Sequence, residues 1–175
     1  GLVGPDGDDL DLGKGSGVEV RTRLLCLTET TQSFVFDRIP VAPVPSLLRN
    51  FSAPVVLEFA YSEAELAHLL AHDSDPFNRW EAGQRLFGRL ICKAAGCLTR
   101  GEAVMWPASI LDAARKVLLS SGDPAFIAEA LTLPGEATLA EQMDVVDPEA
   151  LYNARTDLAR YLAAGLENEF ARIYG

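Results

Sequence analysis

The sequence predicts an α+β protein: an N-terminal partial antiparallel β-sandwich followed by an all-α helical segment, part of a helical superhelix or bundle. Three observations carry this. Residues up to about 60 hold short β-branched and aromatic runs separated by Pro, Gly and Asp. After Tyr61 the chain turns rich in Ala, Leu, Glu and Arg with a helical period. Finally, the pair Asp-Pro occurs at 75–76, 123–124 and 147–148, each at the start of such a periodic stretch. The domain boundary is therefore expected near Tyr61, with 1–60 as the C-terminal part of a β-sandwich domain and 61–175 as the first helices of an α-helical domain.

The chain opens on a short apolar "LVG" that runs into the acidic turn-former run "PDGDDLDLGKGSG". A start without Met on half a strand reads as cut from something longer. "VEVRTRLLCLT" and "QSFVFDRI" flank the polar break "ETT" as two strands of a hairpin would, and "PVVLEF" predicts another short strand. Between them, Pro40, Pro43 and Pro45 cannot donate ladder hydrogen bonds, so "PVAPVPSLLRN" reads as a stiff extended connector.

In the helical part, Ser62 with Glu65 three residues on predicts a capping box and a short helix to about His72. In each Asp-Pro pair, the Asp carboxylate accepts from orphan N–H groups as N-cap, and Pro fills the first helical position, where no donor is needed. A further helix is expected over about Ala108 to Ser120, and "LTLPGEAT" breaks the pattern before a short "LAEQM" turn. Trp80, Phe87, Leu90, Ile91 and Ala94 form one apolar stripe; Leu151, Leu158, Leu162, Leu166 and Phe170 form another on a single last helix. No internal repeat is present: the Asp-Pro pairs share capping chemistry without matching flanks.

A hydrophobic fraction of 49% with 23% charged residues in 175 residues is that of a folding globular chain. The net charge of -10 opposes binding to nucleic acid and to anionic lipid, both of which select Lys and Arg clusters. With no apolar run near the roughly 20 residues of a membrane span and no signal-peptide order, a cytoplasmic protein is expected. Cys26, Cys92 and Cys97 lack a CxxC pairing and read as reduced, small apolar residues without metal or redox work.

"HLLAH", His68 to His72, holds both histidines of the chain at the spacing of a zinc peptidase's ligands, but Leu69 stands where the H-E-x-x-H pattern needs its general base. With Leu66, Leu69 and Leu70 buried, both imidazoles are expected on the opposite, largely solvated face with Glu65, a set able to trap an added metal only weakly. "DGDDLDLGKGSG" fails the calcium-loop register at Leu10, "GKGSG" lacks the P-loop spacing, and no Ser sits in a G-x-S-x-G elbow. In "HDSDPFNRWEAGQ", Asp75 is expected to cap, Phe77 and Trp80 to anchor the core, and Arg79 or Glu81 to pair across a helix junction. The expectation for site residues is thus none: no catalytic, cofactor-binding or metal residue.

"PVPSLLRNFSAPVVLEF", "AHDSDPFNRWEAGQRL" and "EALTLPGEATLAEQMDVVDPEALYNARTDLA" together resemble bacterial aminopeptidase N of the M1 family of zinc metallo-aminopeptidases, from about Val18 onward and in order. The resemblance implies a parent that removes N-terminal residues from peptides with zinc held by H-E-x-x-H and a downstream Glu, and with a G-A-M-E-N motif that grips the substrate's amino terminus. Neither motif occurs here, so no catalytic or zinc-binding residue carries over. It implies instead the end of the small β-sandwich domain and the first helices of the C-terminal helical domain, which encloses the active site and limits access to it. The implied partners are the remaining domains of the parent and, through it, peptide substrates; surfaces bared by truncation predict a large exposed apolar patch or a homodimer that buries it. A rival reading is a stand-alone interaction module with a β and a helical domain. A third, a small metal-dependent hydrolase on Glu65, His68 and His72, requires tight zinc binding.

Overall fold

The computed structural model describes residues 1–13, 19–37 and 39–174. Among them, helices α1 (Glu63–His72), α2 (Pro76–Thr99), α3 (Ala108–Leu118), α4 (Pro124–Leu131), α5 (Glu136–Ala140), α6 (Pro148–Gly165) and α7 (Glu167–Tyr174) follow a small antiparallel pair, β1 (Leu2–Val3) and β2 (Val44–Pro45). The α+β class and the order of its two parts are those the sequence predicts.

The helix starts follow the predicted chemistry. Ser62 and Glu65 form the reciprocal capping box, and the carboxylates of Asp75, Asp123 and Asp147 accept from the N–H groups of Asn78, Ala125 and Ala150, with Pro in the first turn each time. Helix α2 is the central element, with α1, α4, α5 and α6 packed around it and α3 against α1. Leu70, Phe87, Ile91, Ile110, Val117 and Leu158 are buried at this centre. Val3 of β1 joins the same core, fully buried, so the β part and the helices share one hydrophobic cluster.

Several expectations are corrected. The segments read as a hairpin and a third strand form no strand among their described residues; Val18 and Arg38 lie outside the described set. Leu24 and Leu27 are each 73% exposed and Val56 is 91% exposed. Alternation equips a segment for a sheet, but a strand needs a partner ladder and a covering layer, and these residues have neither. The one sheet among the described residues runs through the proline connector instead. Its register pairs Leu2 with Pro45, while the next pair outward, Gly1 and Ser46, exchanges two hydrogen bonds, Gly1 N to Ser46 O at 2.7 Å and Ser46 N to Gly1 O at 2.9 Å. Pro45 thus falls on a non-hydrogen-bonded pair, where its missing N–H costs nothing.

The last helix is two helices. Gly165 lies so close to Leu111 of α3 that a Cβ there would stand 2.5 Å from Leu111 Cδ1, and Arg115 Nη2 donates to the Gly165 carbonyl at 3.0 Å. Docking on α3 thus ends α6 one residue before Leu166, and Arg115 Nε anchors α7 through Glu169 at 2.7 Å. Helix α5 begins at Glu136, earlier than the predicted turn, because Gly135 serves as its N-cap and Glu136 supplies the first-turn acid.

Candidate functional site

The two histidines lie on α1, but both are half-buried rather than solvated. The reason is the β1 loop, which folds over that face of the helix. Nε2–H of His68 donates to the Gly4 carbonyl at 2.7 Å, since a carbonyl oxygen only accepts. The ammonium of Lys116 on α3 donates to Nε2 of His72 at 2.8 Å. Gly7 crosses against the His72 ring with φ of 96°, and a Cβ there would stand 2.0 Å from Nδ1. Burial, and then the Lys116 charge, hold the His72 pKa below its usual value. Glu65 is occupied in the capping box, where the Ser62 backbone and then its hydroxyl hold its carboxyl below the ordinary range.

These residues do not fit a zinc ion. The ring centroids of His68 and His72 are 4.8 Å apart, yet each Nε2 already has a protein partner. Among the described residues, no group of three or more His, Cys, Asp or Glu side chains is gathered as ligands would be. The cysteines are dispersed in role: Cys26 is exposed, against the expectation of an apolar packing role, Cys92 directs its thiol toward the Leu139 carbonyl at 3.8 Å, and Cys97 lies 3.6 Å from Arg100.

The most developed polar site joins the β part to the helices, and sequence reasoning missed it. Arg49, 5% exposed, meets the Asp9 carboxylate through both terminal nitrogens at 2.9 and 2.7 Å, Asp73 at 3.0 Å and Ser46 Oγ at 2.6 Å. Around it, Ser74 donates to Asp9 at 2.6 Å. Asn78 donates to Ser46 Oγ and the Leu47 carbonyl, and Asn50 N–H donates to Asp75. Asp75 thereby caps α2 and holds the connector at once. Desolvation, the largest single influence, opposes ionisation of both Arg49 and Asp9, but their mutual hydrogen bonds, the Ser74 hydroxyl on Asp9 and the surrounding opposite charges together outweigh it, raising the arginine pKa and lowering that of the aspartate. Leu48, Asn50 and Phe51 hold φ between 51° and 57°, a left-handed conformation costing a non-glycine residue about 1 kcal/mol or more. The turn is maintained because it places Arg49 inward. The lone Arg of "LLRN" is the only local hint; its partners lie 40 and 24 residues away.

In "HDSDPFNRWEAGQ", Asp75 caps as expected, and Arg79 bridges a junction by donating to the Leu70 carbonyl at 3.2 Å and lying over Phe126. Phe77 does not anchor the core. It is 36% exposed and packs between Phe51 and Trp80. Trp80 in turn lines an open groove of about 560 Å³ between α2 and α5. The arrangement offers no nucleophile held by a base: its chemistry is that of a joint and a groove.

Residues 63–175 match the family model described as Domain of unknown function (DUF3458_C), ARM repeats. The chain belongs to the DUF3458_C family. Residues 1–60 match a second model, Domain of unknown function (DUF3458), Ig-like fold. Among curated proteins, Aminopeptidase N of Escherichia coli is 41% identical over 86% of this DUF3458_C chain. Aminopeptidase N of Caulobacter vibrioides is 38% identical over 88% of it. The chain spans about 18% of the length of each. A solved structure of Legionella pneumophila aminopeptidase A in complex with aspartic acid superposes with a TM-score of 0.75 and 29% identity, covering 98% of this chain and 19% of that one. The resemblance to bacterial aminopeptidase N read from the sequence is thereby shown. No helix among the described residues is long and apolar enough to cross a membrane.

Proposed function

We propose that this chain is a non-catalytic part of a zinc aminopeptidase of the M1 family, a cytoplasmic metalloprotease that removes N-terminal amino acids from peptides. Its role there is structural, limiting access to the active site. The observation that carries the reading is the 41% identity to Escherichia coli Aminopeptidase N across 86% of this chain. In this reading residues 1–60 close a β-sandwich and 61–175 begin a helical domain, with the remaining domains of the parent as partners. Zinc and the chemistry it supplies belong to those other domains, because the residues here do not fit the ion. A wall that excludes bulk water and large substrates contributes to catalysis without a reacting group.

The physical support is twofold. Arg49 and its carboxylates make a rigid joint between the β part and the helices, as a spacer that fixes a lid requires. The exposed Leu24, Leu27, Val35 and Val56 suit cover by further strands of the parent, or by a second copy when the chain is alone.

The test compares the isolated chain, the longer protein, and the longer protein with Arg49→Met, assayed on alanine p-nitroanilide and on a long unstructured polypeptide. The isolated chain is expected to be inactive, and the variant to keep dipeptide-scale activity while cleaving the long substrate faster. Peptidase activity in the isolated chain would overturn the reading. So would an open reading frame ending near Gly1 and Gly175, which favours the rival interaction module; the exposed strip from Leu24 to Val35 is the feature consistent with that rival.

A further inference from the structure

The groove between α2 and α5 is lined by donors. Trp80, Gln84, Arg85 and Arg89 contribute from α2, facing Thr138 on α5 and Gln142 just beyond it. Arg85 Nη2 donates to the Phe59 carbonyl at 2.7 Å with its guanidinium 5.2 Å from the Tyr61 ring centroid, and Arg89 donates to the Tyr61 carbonyl. Each guanidinium has five N–H groups in a fixed fork, so donors remain. Neither arginine has a carboxylate partner among the described residues. That is unexpected in a chain with 25 acidic and 15 basic residues. Glu81 lines the same groove one turn from Arg85 without pairing to it. The buried Trp80 Nε1 also has no acceptor among the described residues.

Trp80 continues the groove into an aromatic ladder. Its ring lies tilted against Phe77 with centroids 5.6 Å apart, and Phe77 tilted against Phe51 at 4.1 Å, with Phe51 69% exposed. A strained left-handed turn holds this outer ring in place. One end of the surface is therefore apolar and aromatic, the other cationic and rich in N–H groups.

We propose that this groove binds an extended acidic peptide segment, with an apolar side chain against Phe51 and Phe77 and carboxylates against Arg85 and Arg89. Charge complementarity selects the occupant: a fork of N–H donors matches a carboxylate in two-point geometry. The volume of about 560 Å³ suits a stretch of a few residues. The site stands apart from the aminopeptidase reading, since it rests only on α2, α5 and the connector.

The chain has two tryptophans, so Trp106→Phe leaves Trp80 as the sole emitter. Titrating this variant with acetyl-Leu-Glu-Asp-Glu-amide is expected to shift Trp80 emission, with affinity falling as salt rises. The neutral acetyl-Leu-Gln-Asn-Gln-amide is expected to bind at least about tenfold more weakly. Arg89→Gln should weaken the acidic peptide by about tenfold as well. Because Arg89 also supports the Tyr61 backbone, Thr138→Glu serves as the second variant: it adds a repelling charge at an exposed position and leaves the arginine contacts intact. No emission change at millimolar peptide, equal affinity for the two peptides, or full competition by inorganic phosphate would each overturn the proposal.

Discussion

Arg49 and Asp9, 40 residues apart in the chain, form a two-pronged ion pair with side chains 3% and 5% exposed. A buried pair contributes little over an apolar one, but removing one partner strands the other charge, typically at about 3–5 kcal/mol. Asp9→Ala is therefore expected to lower the unfolding free energy by about 3 kcal/mol, less than the extreme because Asp73 still holds Arg49. Urea unfolding of the two proteins measures it. A change below about 1 kcal/mol would show the joint to be solvated.

His72 makes stability fall with acid. Its folded pKa lies below its ordinary value of 6.5, because burial and Lys116 disfavour the charged ring. The unfolded chain then binds the proton first, so the contribution is full above about pH 6.5 and is lost as pH falls through the folded pKa. Around the ring, Lys116, His68 and Arg79 oppose protonation, and Asp8 favours it. Thermal unfolding of the wild type between pH 7.5 and pH 5 should show this slope, and His72→Gln should flatten it. An unchanged slope in the variant would assign it elsewhere.

Zinc content separates the decoy from a site. With both Nε2 atoms engaged by Gly4 and Lys116, the dialysed, tag-free chain is expected to hold no stoichiometric zinc by elemental analysis. One zinc per chain, abolished by His68→Ala, would make the histidines ligands and revive the hydrolase reading.

Gly165 lies where α6 approaches the Leu111 side chain of α3. Alanine there would gain helix propensity, yet its Cβ would overlap Leu111 Cδ1 at 2.5 Å. Gly165→Ala is expected to cost about 1–2 kcal/mol, and a double-mutant cycle with Leu111→Ala should show positive coupling. Additive effects would mean that Leu111 turns away freely.

Local chemistry in the sequence determined the helical part. A capping box needs Ser62 and Glu65 within one turn, an Asp-Pro start needs adjacent residues, and an apolar stripe needs a period, so each is written in a short window. The α+β class was legible for the same reason. The tertiary structure alone decided the rest. Arg49 gained its role from Asp9 and Asp73, far off in the chain, and the histidines were covered by a loop some 64 residues away. The alternating segments remained unpaired because a ladder is a relation between two strands, which one strand's pattern cannot supply. The end of α6 at Gly165 likewise came from Leu111 and Arg115 of another helix. Contacts within one turn follow from neighbours in sequence; contacts that close a fold follow from which surfaces finally meet.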